Sequence, residues 1–142
     1  MRVRATLVAC VLLAVSVPAS AATVQVQVID SEFTPDPTIN IGDTIRWVWN
    51  SEMSHNVRSA PWEAVAFNSG HKFGTGPTFE FTFMTPGVID YYCDLHAFPN
   101  TSNQTISGMA GRITVVPEPV GVGLVAPAAM LLVVRRRRSS RA

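Results

Sequence analysis

Between residues 22 and 116 the apolar side chains recur at every second position, and prolines and glycines cut the pattern into short runs. A period of two lines one face of an extended strand, whereas a helical face repeats every 3.6 residues. Val24, Val26 and Val28 alternate with Gln25 and Gln27, and Pro35 and Pro37 stop that run. Ile39 and Ile41 follow, then a Gly42-Asp43 turn. Ile45, Trp47 and Trp49 share the next face, with Thr44, Arg46 and Asn50 opposite. Phe79, Phe81 and Phe83 alternate with Thr78, Glu80 and Thr82 and end at Pro86-Gly87. Residues 88–93 and 112–116 are two further β-rich runs, and only residues 61–67 leave room for one helical turn. Short strands at this spacing predict an all-β chain, a Greek-key β-sandwich, with the tryptophans and the phenylalanine stripe inside.

The two ends do not share this pattern. Arg2 and Arg4, an apolar run over residues 5–17, Pro18 and then Ala19-Ser20-Ala21 follow the three-part order of a secretory signal. The mature chain is expected to begin near Ala22. At the other end Pro117-Glu118-Pro119 precedes fifteen mostly apolar residues, 120–134, and then Arg135, Arg136, Arg137 and Arg138. Fifteen helical residues reach only about 22 Å, short for a stable span, and the arginines mark the cytoplasmic side. That order resembles the PEP-CTERM sorting segment of Gram-negative bacteria. The resemblance implies transient membrane anchoring and removal of the tail by an exosortase. The expected organisation is therefore a signal peptide over 1–21, one domain over 22–116 and a sorting segment over 117–142.

Charge narrows the partners. The chain as a whole is only 15% charged, with a net charge of +1, but its arginines crowd the ends. Between residues 22 and 116 four bases (Arg46, Arg58, Lys72, Arg112) face nine acids, a net charge of −5. No basic footprint for nucleic acid exists in the part that folds.

Cysteine usage then points to the chemistry. Cys10 leaves with the signal peptide, so the exported protein carries the single thiol Cys93 in an oxidising compartment. Such a thiol pairs between chains, oxidises or is occupied. Three residues later comes His96; His55 follows the tryptophan strand, and Met109 precedes the last β run. Two imidazoles, a thiolate and a weak axial thioether are the ligand set of a blue-copper electron-transfer site. His71, Met53 and Met84 carry no such pattern and are expected to be loop, packing or surface residues.

The segments Phe33-Thr34-Pro35, His55-Asn56-Val57, Phe67-Asn68-Ser69-Gly70, Tyr91-Tyr92-Cys93-Asp94-Leu95-His96 and Gly108-Met109-Ala110-Gly111 resemble, in matching order, those of the plastocyanin-like cupredoxins. The resemblance implies one type 1 copper per chain held by His55, Cys93, His96 and Met109. It also implies that Asn56 ties the His55 loop to the cysteine loop. One difference stands out: twelve residues, 97–108, separate His96 from Met109, where plastocyanins have a few. Phe98 and Pro99 in this insertion are expected to form an apolar docking rim for redox partner proteins, so that deleting residues 99–105 changes partner rates more than the copper spectrum. The function expected is that of an extracytoplasmic, monomeric electron carrier cycling Cu(I)/Cu(II), not an enzyme. A multicopper oxidase or nitrite reductase needs a further copper centre, and three histidines in total, with Tyr92 and Asp94 flanking the cysteine, do not supply one. The alternative is a copper-storage, copper-delivery or envelope structural protein on the same fold.

Overall fold

Alternating runs become paired strands in the computed structural model, which describes residues 20–118. The leader up to residue 19, with Cys10, and the tail from residue 119 lie outside the described residues. The strands are β1 (Thr23–Ile29), β2 (Glu32–Thr34), β3 (Thr38–Asn40), β4 (Thr44–His55), β5 (Arg58–Ser59), β6 (Lys72–Thr82), β7 (Gly87–Asn100) and β8 (Thr105–Val116). They form two four-stranded sheets, β2-β1-β4-β6 and β3-β8-β7-β5. No helix occurs among the described residues, so the fold is the expected all-β sandwich.

Register follows from which side chains must be buried, because a slip of one residue would turn every apolar side chain outward. β1 and β4 run parallel with Val26 beside Trp47 and Val28 beside Trp49; β4 and β6 are antiparallel with Trp47 opposite Phe79. Ile45, Trp47 and Trp49 are fully buried, while Arg46 and Asn50 are exposed. The facing sheet contributes Ile89, Tyr91, Cys93, Ile113 and Val115. Trp47 is the hub: its ring lies 5.5 Å from Phe67 and Phe79, 5.6 Å from Tyr91 and 6.4 Å from Phe83. Aromatic pairs at such distances add about 0.5–1.5 kcal/mol each beyond the area they bury. Phe79 and Phe81 are half-buried rather than enclosed, since β6 is a sheet edge.

Residues 61–67 form no helix, only one turn at their start, where Glu63 N donates to Ala60 O at 3.1 Å. They form an irregular connection pinned along the β5 edge, where Ser59 N donates to Phe67 O (3.1 Å) and Phe67 N donates to Ser59 Oγ (3.1 Å). Glu63 Oε1 accepts from Asp90 N at 3.0 Å. The larger difference lies at the other end of β7. The twelve-residue insertion is not an irregular loop but a ribbon in which Ala97, Phe98, Pro99 and Asn100 face Gly108, Ser107, Ile106 and Thr105.

Candidate metal centre

Irregularities in two ladders build the centre. In the β4–β6 ladder Ser51 faces Gly74 and His55 faces Lys72, so four steps along β4 span two along β6 and residues 52–54 bulge out. Such bulges bend a strand and re-aim its side chains, and this one delivers His55 to the interior at the very end of β4. In the β7–β8 ladder the register breaks between Tyr92 and Ala97, and the break contains both Cys93 and His96.

The structure brings the three together. Cys93 Sγ lies 3.7 Å from His55 Nδ1 and 3.4 Å from His96 Nδ1, and the three donor atoms fall within 4.8 Å of one another. The two imidazole centroids are 4.7 Å apart. His55 and Cys93 are fully buried, and His96 is half-buried. Burial, and then the neighbouring His96, hold the His55 imidazole below its ordinary pKa, which keeps it neutral with a lone pair to donate. Cys93 forms no disulfide. Two Nδ1 atoms and one sulfur converging on one point suit a soft, thiolate-seeking metal.

Met109 reaches the same place despite the insertion. Ala97 pairs with Gly108, so the ribbon leaves β7 just after His96 and returns to β8 just before Met109. Gly108 is required there: its φ is +97°, and a Cβ would run into the backbone carbonyl oxygen of His96. Met109 is buried and, with His55, His96, Gly108, Met53 and Ser31, lines a cavity of about 290 Å³.

A polar ring holds the strand ends. Asn56 Oδ1 accepts from Asp94 N at 2.9 Å, and Asn56 Nδ2 donates to Asp94 Oδ2 at 3.0 Å and to Asn68 Oδ1 at 3.3 Å. Each Asn56–Asp94 bond joins the residue after His55 to the residue after Cys93, as the sequence led one to expect of Asn56. The sequence did not point to His71, whose Nε2 sits 2.8 Å from Asp94 Oδ1, or to Arg58, whose guanidinium is 3.8 Å from Asp94 Oδ2. On the other side Trp49 Nε1 donates to His55 O at 3.2 Å. Asp30 Oδ1 stands 3.7 Å from His55 Nε2, too far for a hydrogen bond. The Ser51 hydroxyl, donating to Asp30, holds that carboxyl below the usual carboxylate range.

The profile of the family described as copper binding proteins, plastocyanin/azurin family, matches residues 21–116. The chain belongs to that family. Among curated proteins it is 34% identical over 122 residues to a plastocyanin of Prochlorothrix hollandica, covering 77% of this chain and 85% of that one. It is 33% identical over 87 residues to an amicyanin of Paracoccus versutus, covering 60% of this chain and 64% of that one. Among solved structures a reduced variant of amicyanin superimposes with a TM-score of 0.53 at 24% identity, over 66% of this chain and 82% of that one, a likeness of fold. As a plastocyanin/azurin-family domain the protein binds copper. Family membership and the likeness to plastocyanin and amicyanin make this an electron-transfer domain and not an enzyme.

Proposed function

We propose that His55 Nδ1, Cys93 Sγ and His96 Nδ1 are the three strong ligands of one type 1 copper, with the Met109 thioether as the weak fourth. The convergence of those three atoms within 4.8 Å is the observation that carries the reading. When bound, the metal supplies a Cu(I)/Cu(II) couple that takes up or gives out one electron. The protein's part is to keep the ligands from moving between the two states. His55 ends β4 with its carbonyl held by Trp49 Nε1, Cys93 lies in the core, and the Asn56–Asp94 bonds lock the two strand ends together. Ligands fixed this way do not relax toward the geometry of either oxidation state.

His96 is the one imidazole of the cluster that is not fully buried. Around it Leu95 is 51% exposed and Phe98, on the ribbon, 78%. The ribbon over residues 97–108 carries no charged side chain. A redox partner docking on this apolar rim would exclude water without stripping charges, and place its own centre near the His96 edge. Partner choice is assigned to the ribbon.

The same reading takes residues 1–21 as a signal peptide, 22–116 as the copper domain and 117–142 as a PEP-CTERM-like sorting segment that anchors the chain until an exosortase cuts it. A family match over 21–116, with β1 opening at Thr23 and β8 closing at Val116, supports those boundaries. Export to the periplasm, envelope or exterior also accounts for an unpaired thiol, because copper would protect it there.

The test is the electronic absorption of the purified protein loaded with Cu(II). An intense thiolate-to-copper band toward the red end of the visible, with reversible one-electron cycling, is the expected result. Cys93→Ser removes the band and leaves the β circular dichroism in place; full colour in that variant would refute the ligand assignment. A colourless protein that takes only Cu(I) would mean copper handling instead.

A further inference from the structure

Cys93 and His55 are fully buried, so an incoming metal must reach them through an opening in the surface. The cavity described above borders the two imidazoles, and its lining includes a second thioether besides Met109. Met53 sits in the β4 bulge two residues before His55 and is 46% exposed, whereas Met109 is 2% exposed. The bulge is held in shape rather than loose: Met53 N donates to Ser51 Oγ at 3.0 Å, and the Ser51 hydroxyl donates to Asp30. The Asp30 carboxylate, about half exposed, lies 3.7 Å from His55 Nε2. That nitrogen is buried and has no hydrogen-bond partner among the described residues. A solvent-facing thioether and the two imidazoles therefore line one cavity, and a carboxylate stands beside the buried one of them.

Resting on the ligand assignment above, the geometry points to this cavity as the path by which Cu(I) is loaded, with Met53 as its outer capture ligand. Thioethers bind Cu(I) well and Cu(II) poorly, and the carboxylate attracts a cation of either charge. Met53 would take Cu(I) from the donor and hand it on to the imidazoles and Cys93, whose thiol would release its proton to solvent. No electron is transferred in loading. Met53, which carries no sequence motif, thus has a role distinct from that of Met109: it acts before the final site is filled.

Stopped-flow loading of the metal-free full chain tests this, with Cu(I) supplied by a coloured chelator whose absorbance falls as it gives up the metal. Met53→Leu keeps the side-chain volume and removes the sulfur. Met84→Leu is the control, because Met84 is also exposed but lies before the start of β7, six strand residues or about 20 Å from Cys93. The expected result is Cu(I) loading several-fold slower in Met53→Leu, unchanged in Met84→Leu, and a much smaller effect of Met53→Leu on loading from Cu(II). Equal Cu(I) rates for Met53→Leu and wild type would overturn the proposal. Equal slowing for Cu(I) and Cu(II) would overturn it too, since that marks a steric role and not the sulfur. A wild-type protein that loads copper but shows no thiolate-to-copper band on oxidation would sink the ligand assignment, and the path with it.

Discussion

Gly111 lies opposite Tyr91 in the β7–β8 ladder, and a Cβ at that position would run into the phenol ring. Tyr91 is fully buried and packs on Phe33 and Trp47, so the ring has nowhere to retreat. Gly111→Ala is expected to destabilise the metal-free protein by about 1–3 kcal/mol, the usual range for an overpacked core. Urea unfolding measures it, and an unshifted midpoint would show that the ring yields freely. Asn56 works on the site through hydrogen bonds alone. Asn56→Ala leaves the Asp94 N–H without its acceptor and unlatches the His55 end from the Cys93 end. Copper affinity should fall by roughly 10–100-fold, the range found when groups supporting a metal ligand are removed. Titration against a competing chelator reads this, and unchanged affinity would mean the latch is not needed. At this scale the cluster was legible because a thiol, two imidazoles and a thioether stand in a telling order along the chain. His71 was not, because the carboxylate it meets is 23 positions away and no local pattern links the two.

Among the elements, the ribbon over residues 97–108 is where sequence reading fell short. Its polar run resembles a loop, and only pairing with itself reveals a ladder. The ladder explains why twelve residues between His96 and Met109 do not separate them: the ribbon opens and closes at a single pair, Ala97 with Gly108. Phe98 and Ser107 are the next pair out, so a two-residue Asn-Gly turn joining them should shorten the ribbon without disturbing its base. That variant is expected to keep the copper spectrum and to lose rate with its physiological partner; the reverse result would place partner choice elsewhere. Gly108→Ala makes the opposite cut. It forces a side chain into a left-handed backbone and against the His96 carbonyl, so the ribbon base must shift and Met109 with it. The expected outcome is a changed copper absorption spectrum with the β-sandwich still folded. An identical spectrum would remove Met109 from the ligand set.

For the whole molecule, the metal site shares Cys93 and Met109 with the core, but the packing that organises the sandwich does not depend on the metal. Trp47 and its aromatic neighbours organise the sandwich, while the ligands occupy one end of β4 and the broken part of β7. Metal removal should therefore leave a folded protein that is less stable. Copper held only by the native state, at about 100 times its dissociation constant, adds about 2.7 kcal/mol by mass action. Thermal unfolding with and without a chelator checks this, and a midpoint indifferent to copper would mean that the site is not filled. Alternation of period two with proline and glycine stops was enough, in the sequence, to establish an all-β sandwich and to put Ile45, Trp47 and Trp49 inside. Strand identity is a local property, decided by which face each side chain takes, and ligand chemistry is carried by residue type. Tertiary structure alone decided the bulge that aims His55, the self-paired ribbon that returns Met109, the His71–Asp94 contact and the position of Met53 at the cavity. Each of these depends on which distant backbone pairs with which, and a residue pattern along one chain does not encode that register.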